Sequence, residues 1–509
     1  MSLKANIVAN YASQLYVAIL GIVVVPVYVG ELGLEAYGLI GFFAMLQAWF
    51  GLLDMGLSPT IGRETARVNG GASTPNEYRQ IFRSLSMLFA TFAVLGGIAL
   101  LFSADAITTR WLKTRQLSHE EVTYALQIMV LSIVLRWMGG LYRGVVTGYE
   151  RLIWLSGFNV AIASLRFLGV LAVMHLAGHT PTVFFTYQAI VAVVEFSVLC
   201  WMTYRVLPAI DPTGSKVGWS VAPVKKQLAF AGAVAFTSSV WVIVTQLDKL
   251  LLSGILSLSD YGNYSLAVLI ASGITTAVAP IAASITPRLA VLEAQGRPVE
   301  LIATYRRTTK LVSVLGGTAG VSLIFLTAPV LKAWTGNETV VGNVVPIVVW
   351  YALGNMMLNF SSFAYSLQYA KGTMRYHVIG NILMLALLLP TLFFLAQKYG
   401  TYGAGLTWGI INTAYLLGWV CFTHARLVPK LSLKWIVFDI LIIIVPLALV
   451  AAGIAHLIDP LASRFQNIAI CGISGLILVG IGYLFNKLSQ RIESAFARRD
   501  AVHAALENA

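Results

Sequence analysis

The chain has 509 residues, of which 58% are hydrophobic and only 11% are charged. Soluble domains carry about a quarter charged residues, so this composition excludes a chain of ordinary globular domains. The formal net charge of +13 leaves a nucleic acid or a membrane surface open as the partner of the basic residues.

Fourteen apolar runs follow one another along the chain, and no gap between them is long enough for a soluble domain. A bilayer core of about 30 Å needs roughly 20 apolar residues per helix. The first run directly follows Lys4 without a small-residue cleavage site, which predicts a retained helix rather than a signal peptide. We predict membrane spans over residues 6–29, 37–59, 82–104, 122–147, 153–176, 182–204, 228–256, 261–287, 308–331, 344–368, 377–397, 403–424, 436–458 and 466–485.

The placement of lysine and arginine predicts how these spans are oriented. With a cytoplasmic N-terminus, 25 of the 34 basic residues lie on the cytoplasmic side and six on the other. Because cytoplasmic loops carry an excess of lysine and arginine, both termini are predicted to be cytoplasmic. Membrane lipids then account for the basic surface, and no nucleic-acid partner is expected.

Two copies of one motif divide the chain into halves. Residues 30–38 read GELGLEAYG and residues 254–262 read GILSLSDYG, with five of nine positions identical at an offset of 224. Each half then contains six spans. Because six is even, both halves enter the membrane from the same side, which predicts parallel repeats of the kind known among transporters. The same offset relates two further pairs, Gly148 with Gly372 and Arg151 with Arg375.

The repeat leads to a prediction for the whole architecture. We expect an all-α polytopic membrane protein with fourteen transmembrane helices, of which twelve form two parallel-repeat six-helix bundles. The predicted segments are an N-terminal bundle (1–206), a cytoplasmic linker (207–227), a C-terminal bundle (228–426), two additional transmembrane helices (427–486) and a cytoplasmic tail (487–509).

Five ionisable residues lie near the middles of predicted spans. They are Arg136, Arg166 and Glu195 in spans 4 to 6, and Asp248 and Lys249 in span 7. Each costs about 2.5–3.5 kcal/mol at a helix centre, which indicates a function. A structural alternative remains, in which one of the arginines pairs with Glu195 and locks the first bundle. The repeat can be built without these charges, since the equivalent positions hold Phe360, Pro390, Trp419, Val24 and Val25.

Polar residues also lie inside four of the predicted spans, several of them at helical spacing. Since such groups need partners inside a membrane, they are predicted to face a wet interior or neighbouring helices. Hydrogen bonds between helices would explain the stripe in span 10 equally well. The residues are Asn10 in span 1, Asn159 in span 5, Gln188 in span 6, and Asn355, Asn359 and Ser362 in span 10.

Motifs for other chemistries are missing from the sequence. No phosphate-binding glycine loop occurs, so direct coupling to ATP is not expected. A membrane glycan polymerase or acyltransferase would carry a long periplasmic loop or a histidine-centred motif, and the sequence has neither. We expect no enzymatic activity, no cofactor and no metal. The three cysteines are predicted to be buried thiols inside spans, namely Cys200, Cys421 and Cys471.

Three stretches carry a resemblance to a known family: PVYVGELGLEAYGLIGFF, LLDMGLSPTIGRETA and TQLDKLLLSGILSLSDYGNYSLA. Together they resemble the polysaccharide transporter family of bacterial flippases, in the multidrug/oligosaccharidyl-lipid/polysaccharide exporter superfamily. The resemblance covers spans 1 to 12 and implies two bundles around a central cavity. It also implies a multi-pass protein of the bacterial inner membrane, with a polysaccharide polymerase and a chain-length regulator as partners.

By this resemblance, the cargo is an undecaprenyl-pyrophosphate-linked oligosaccharide, either an O-antigen or an exopolysaccharide repeat unit. It would move from the inner to the outer leaflet by alternating access, coupled to a proton or sodium gradient. We predict that Arg136 and Arg166 attract the anionic head group, because guanidinium groups suit phosphate oxygens. Lys249 is predicted to add a positive charge across the cavity. Glu195 and Asp248 are predicted to serve coupling or charge balance.

Two alternatives from the same superfamily stay open. A multidrug or organic-cation exporter should have a net acidic cavity, whereas the central charges count three basic and two acidic residues. A peptidoglycan-precursor flippase would share the fourteen spans and a cationic cavity.

Overall fold

A computed structural model describes residues 3–211, 217, 232, 239, 242–243, 245–459 and 462–507. Within these ranges the chain is almost entirely helical and forms no strand. Four π-helical segments interrupt the helices, at Ile107–Trp111, Leu165–Gly169, Tyr415–Val420 and Trp435–Leu441. The helices are α1 (Leu3–Val23), α2 (Val25–Phe50), α3 (Leu57–Asn69), α4 (Pro75–Ala106), α5 (His119–Gly148), α6 (Leu152–Ser164), α7 (Val170–Ala177), α8 (Pro181–Val206), α9 (245–255), α10 (Leu258–Ala294), α11 (Pro298–Phe325), α12 (Thr327–Thr335), α13 (Glu338–Ala370), α14 (Arg375–Ala414), α15 (Cys421–Leu427), α16 (Leu431–Lys434), α17 (Ile442–Leu457) and α18 (Arg464–Glu507).

The helices confirm a polytopic membrane protein. Eleven of those described are long and apolar enough to cross a membrane, and the shorter apolar helix Val8–Val23 falls within the first predicted span. The continuous stretch Arg375–Leu427 contains two predicted spans, with a break in helical geometry at Gly400. Predicted span 228–256 lies largely outside the described residues. The count of fourteen therefore stays a prediction.

The chain forms two compact units, Met1–Gly262 and Asn263–Ala509. In the N-terminal unit, α5 packs against α8, α3 and α4, and α1 packs against α6. In the C-terminal unit, α13 packs against α14 and α11, while α17 and α18 cover α11. The segment boundaries predicted from the repeat stay predictions.

The two copies of the repeated motif contact each other inside the N-terminal unit. A Cβ atom added to Gly38 would overlap the carbonyl oxygen of Leu258, and one added to Gly262 would overlap that of Leu34. Leu34 and Leu258 are related by the same offset of 224 as the two glycines. Equivalent residues therefore meet reciprocally, and glycine is needed because backbone lies where a side chain would begin.

We expect Gly38→Ala and Gly262→Ala each to lower the thermal unfolding temperature of the purified protein. Neither overlap can be relieved by turning a side chain, so the cost is about 1–3 kcal/mol. Gly453→Ala is the matched control, because nothing lies within 4 Å of a Cβ there. An equal shift in all three variants would contradict a specific role for the reciprocal contact.

A four-charge network is buried in the C-terminal unit. Arg306 of α11 donates two hydrogen bonds of 2.8 Å to the carboxylate of Asp439, in the π-helical segment before α17. Lys310 lies 2.6 Å from Glu493 of α18 and 3.5 Å from Asp439, and Arg306 also contacts Glu493. Two cations thus face two carboxylates, and the charges of this network cancel.

Candidate functional site

The long helix α5 positions the charged residues of the N-terminal unit. Gly144 and Gly148 let α3 approach closely, because a Cβ at either would overlap backbone of that helix. Arg136 and Arg143 are seven residues apart, so two helical turns place them on one face of α5. That face meets α8, which contributes Glu195.

Glu195 binds two arginines unequally. Its Oε1 lies 2.6 Å from Nη2 of Arg143, whereas its Oε2 lies 3.6 Å from Nε of Arg136. The Glu195 and Arg136 side chains are 8% and 5% exposed, and that of Arg143 is 31% exposed. Arg143 also donates a 2.5 Å hydrogen bond to Oδ1 of Asn159 on α6. Arg143 is thus the principal partner of the buried carboxylate.

Gln188 connects Arg136 to the segment that carries Arg166. Nη2 of Arg136 donates a 2.9 Å hydrogen bond to Oε1 of Gln188, and Nε2 of Gln188 donates one of 2.9 Å to the carbonyl oxygen of Arg166. Arg166 lies in the π-helical segment Leu165–Gly169 between α6 and α7. Such segments occur frequently at functional sites. One amide therefore joins α5, α8 and this segment.

The arginine cluster, defined as Arg136, Arg143, Arg166, Gln188 and Glu195, has unused donors. Nε and Nη1 of Arg136 and Nε of Arg166 are buried without a hydrogen-bond partner in the described part of the chain. No described carboxylate lies within 4.0 Å of the Arg166 guanidinium. With three cations and one carboxylate, the arginine cluster has an excess charge of +2. An unneutralised buried charge is costly, so it favours a bound anion.

Aromatic rings line the arginine cluster. The guanidinium carbons of Arg136, Arg143 and Arg166 lie 5.5–5.7 Å from ring centroids of neighbouring phenylalanines. A cation over a ring face gains electrostatic stabilisation, which offsets part of the cost of desolvation. The rings belong to Phe43, Phe158 and Phe167.

Asp248 and Lys249 lie together on α9. Nζ of Lys249 is 3.7 Å from Oδ1 of Asp248 and donates a hydrogen bond to the carbonyl oxygen of Thr245. The Asp248 side chain is buried and that of Lys249 is largely so. The roles predicted for this pair stay predictions.

The polar stripes lie in different parts of the fold. On α1, Asn10 accepts a 3.2 Å hydrogen bond from Nε2 of Gln14. In the C-terminal unit, Asn355 accepts a 2.9 Å bond from Trp408, and Asn359 donates one of 3.4 Å to Thr275. Ser362 donates to the Asn359 carbonyl within its own helix, at 2.7 Å. A role for either stripe in binding stays a prediction.

Arg143 is a site residue that the sequence did not predict. Its position near a helix end favours a place among the cytoplasmic basic residues, whereas its guanidinium contacts the buried Glu195. The signal that could have found it is its spacing of seven residues from Arg136.

Comparisons with known proteins identify the family of this chain. Residues 3–293 match the family described as "Polysaccharide biosynthesis protein". A Shigella flexneri protein provisionally named an O-antigen transporter is 21% identical over 400 residues, which cover 76% of this chain and 90% of that protein.

Solved structures show the same fold at low sequence identity. The lipid II flippase MurJ, in an inward closed conformation, is 15% identical with a TM-score of 0.70, covering 97% of this chain and all of that one. An inward-facing multidrug resistance MATE family transporter is 14% identical with a TM-score of 0.62, covering 82% and 94% of the two chains. The family match spans more than half of the chain. This protein therefore belongs to the polysaccharide biosynthesis protein family, and it has the fold of the superfamily that includes the MurJ and MATE transporters.

Proposed function

We propose that the protein is a flippase for an undecaprenyl-pyrophosphate-linked oligosaccharide, an O-antigen or exopolysaccharide repeat unit. It moves this cargo from the inner to the outer leaflet of the bacterial inner membrane. The family match and the O-antigen transporter relative support a cargo of this class. The observation that carries the proposal is the excess charge of +2 in the arginine cluster.

The excess charge distinguishes the arginine cluster from the four-charge network. In the four-charge network of the C-terminal unit, each cation contacts carboxylates and the charges cancel. In the arginine cluster, one carboxylate faces three cations, and Nε and Nη1 of Arg136 and Nε of Arg166 have no hydrogen-bond partner among the residues described. A pyrophosphate supplies the oxygens that these donors lack, and arginine binds such groups with two parallel hydrogen bonds.

Each residue then has a distinct role in the proposal. Arg136 and Arg166 bind the anionic head group, while Glu195 balances the charge of Arg143 and holds it in place. Gln188 orients Arg136 through its 2.9 Å hydrogen bond. Lys249 assists the arginines, and Asp248 balances its charge. Alternating access coupled to a proton or sodium gradient moves the head group, with both termini in the cytoplasm and with a polysaccharide polymerase and a chain-length regulator acting on the same glycan.

A multidrug exporter is the second candidate, because a MATE family transporter shares the fold. The excess positive charge opposes it, since an organic cation would enter a site that already repels it. A peptidoglycan-precursor flippase is the third candidate, supported by the similarity to MurJ. The test therefore compares the saccharides directly.

The test uses the purified full-length protein in proteoliposomes. We expect it to expose a labelled undecaprenyl-pyrophosphate oligosaccharide to a membrane-impermeant lectin faster than protein-free vesicles do. Parallel vesicles contain lipid II or rhodamine 6G, and each set is measured with and without a proton or sodium gradient. Transport of rhodamine without glycan flipping would contradict the proposal. A preference for lipid II would instead indicate the peptidoglycan-precursor flippase.

A further inference from the structure

A polar cavity lies at one end of the N-terminal unit. It has a volume of about 440 Å³, within the range of small-molecule sites. Its polar and aromatic lining residues come from four elements: Asn69 from α3, Tyr149 and Arg151 from the turn between α5 and α6, Trp154 from α6, and Trp201 and Arg205 from α8. This set is called the end pocket, and none of these residues belongs to the arginine cluster.

The end pocket lies at the boundary of the membrane-spanning helices. The candidate spans His119–Gly148 and Pro181–Val206 both end here, and Leu152–Ala177 begins here. The distribution of basic residues predicts that this end faces the cytoplasm. Tryptophan side chains favour this depth, because an apolar ring with a polar N–H group suits the level of the lipid head groups.

Two arginines in the end pocket have no acidic partner in the part of the chain that the structure describes. No carboxylate among the described residues lies within salt-bridge distance of Arg151 or Arg205, and both side chains are exposed. The guanidinium of Arg205 stacks on the indole of Trp201, 5.3 Å from its centroid, which orients the planar group. The hydroxyl of Tyr149 is buried without a hydrogen-bond partner in the described ranges. The end pocket therefore offers several donors and no negative charge.

We propose that the end pocket binds the phosphorylated head group of a membrane lipid. Arg151 and Arg205 bind the phosphate oxygens, the Tyr149 hydroxyl donates a further hydrogen bond, and Trp201, 56% exposed, contacts the apolar part of the lipid. Two sources share this chemistry: a bulk anionic phospholipid and the polyprenyl pyrophosphate carrier of the proposed cargo. The proposal concerns binding at this end, so it does not depend on transport through the arginine cluster.

Arginine and tryptophan are common at this depth in membrane proteins even where no specific lipid binds, so the test needs a control. The C-terminal unit supplies one. Arg375 is the repeat partner of Arg151. Arg426 stacks on Phe422, four residues earlier, at 5.3 Å, just as Arg205 stacks on Trp201. Both control arginines are exposed. The pair Arg375→Gln with Arg426→Gln thus removes the same charge from similar positions outside the end pocket.

Native mass spectrometry of the purified full-length protein tests the proposal by lipid titration. The probes are undecaprenyl pyrophosphate and phosphatidylglycerol, with undecaprenol and diacylglycerol as phosphate-free counterparts. We expect Arg151→Gln with Arg205→Gln to weaken binding of at least one phosphorylated probe about tenfold or more. The control pair should change it less than about twofold, and the phosphate-free lipids should not respond. The probe that responds identifies the source.

Equal losses in the two variant pairs, or no loss for either phosphorylated probe, would overturn the proposal. Arg205→Lys covers the case in which the double variant does not fold. Lysine keeps the positive charge but lacks the planar guanidinium group, so we expect a smaller loss of binding of the phosphorylated probe than in the double variant. Unchanged binding would count against the site. Both variant pairs keep the arginine cluster intact, so the difference between them reports on the end pocket alone, and failure of the end pocket and failure of the proposed flippase activity give different results.

Discussion

Arg166→Gln is expected to stabilise the protein while it slows flipping of the lipid-linked oligosaccharide about tenfold or more. Arg166 has no described carboxylate within salt-bridge distance, and its Nε is buried without a hydrogen-bond partner among the described residues. Removing such a charge relieves a desolvation cost of up to about 3 kcal/mol. The hydrogen bond from Gln188 survives, because it goes to the backbone carbonyl of residue 166. Stability and transport should therefore change in opposite directions.

Two measurements check this expectation: the thermal unfolding temperature of the purified protein and the flipping rate in proteoliposomes. Arg375→Gln is the matched control, because it removes an exposed arginine that contacts only its neighbour Tyr376 among the described residues. It should change neither measurement appreciably. If Arg166→Gln lowers both the unfolding temperature and transport, Arg166 has a structural role. If transport is unchanged, Arg166 does not bind the head group.

Asp439→Asn is expected to destabilise the C-terminal unit by about 3–5 kcal/mol. The substitution leaves the two cations, Arg306 and Lys310, facing only Glu493, in a site where the Asp439 side chain is fully buried. Asparagine also replaces an acceptor oxygen by a donor NH₂ group, which opposes one of the two hydrogen bonds from Arg306. Loss of this carboxylate should loosen the packing of α17 and α18 on α11.

Thermal unfolding and limited proteolysis of the C-terminal helix α18 measure this effect. Glu493→Gln is the milder comparison, because the Glu493 side chain is 26% exposed and water can solvate the remaining charges. The double variant Arg306→Met with Asp439→Asn should recover part of the loss, since it removes a cation together with its carboxylate. A single Asp439→Asn variant as stable as the original protein would show that the four-charge network contributes little to folding.

The two units use buried charge in different ways. In the four-charge network of the C-terminal unit, two cations face two carboxylates, and their contacts connect three helical segments. In the N-terminal unit, one carboxylate faces three arginines, and the surplus requires a partner that the described residues do not supply. This contrast between the units supports assigning the surplus to an anionic cargo.

The sequence alone determined the class of the protein, because hydropathy is a local property of each run of about 20 residues. It also identified Arg136, Arg166 and Glu195 as unusual, since a charge within an apolar run is visible without knowledge of its neighbours. The repeated motif was visible for the same reason, through two similar nine-residue stretches at one offset.

Only the tertiary structure decided which charges pair. Arg143, rather than Arg136 or Arg166, takes the short contact with Glu195, because the choice depends on the rotation and axial offset of α5 against α8. The spacing of residues within one helix gives neither the rotation nor the axial offset. The four-charge network shows this more strongly, since Arg306 lies 133 residues from Asp439 and Lys310 lies 183 from Glu493. Partners so far apart in the chain meet only once the helices have packed, so the sequence does not reveal that these cations form ion pairs.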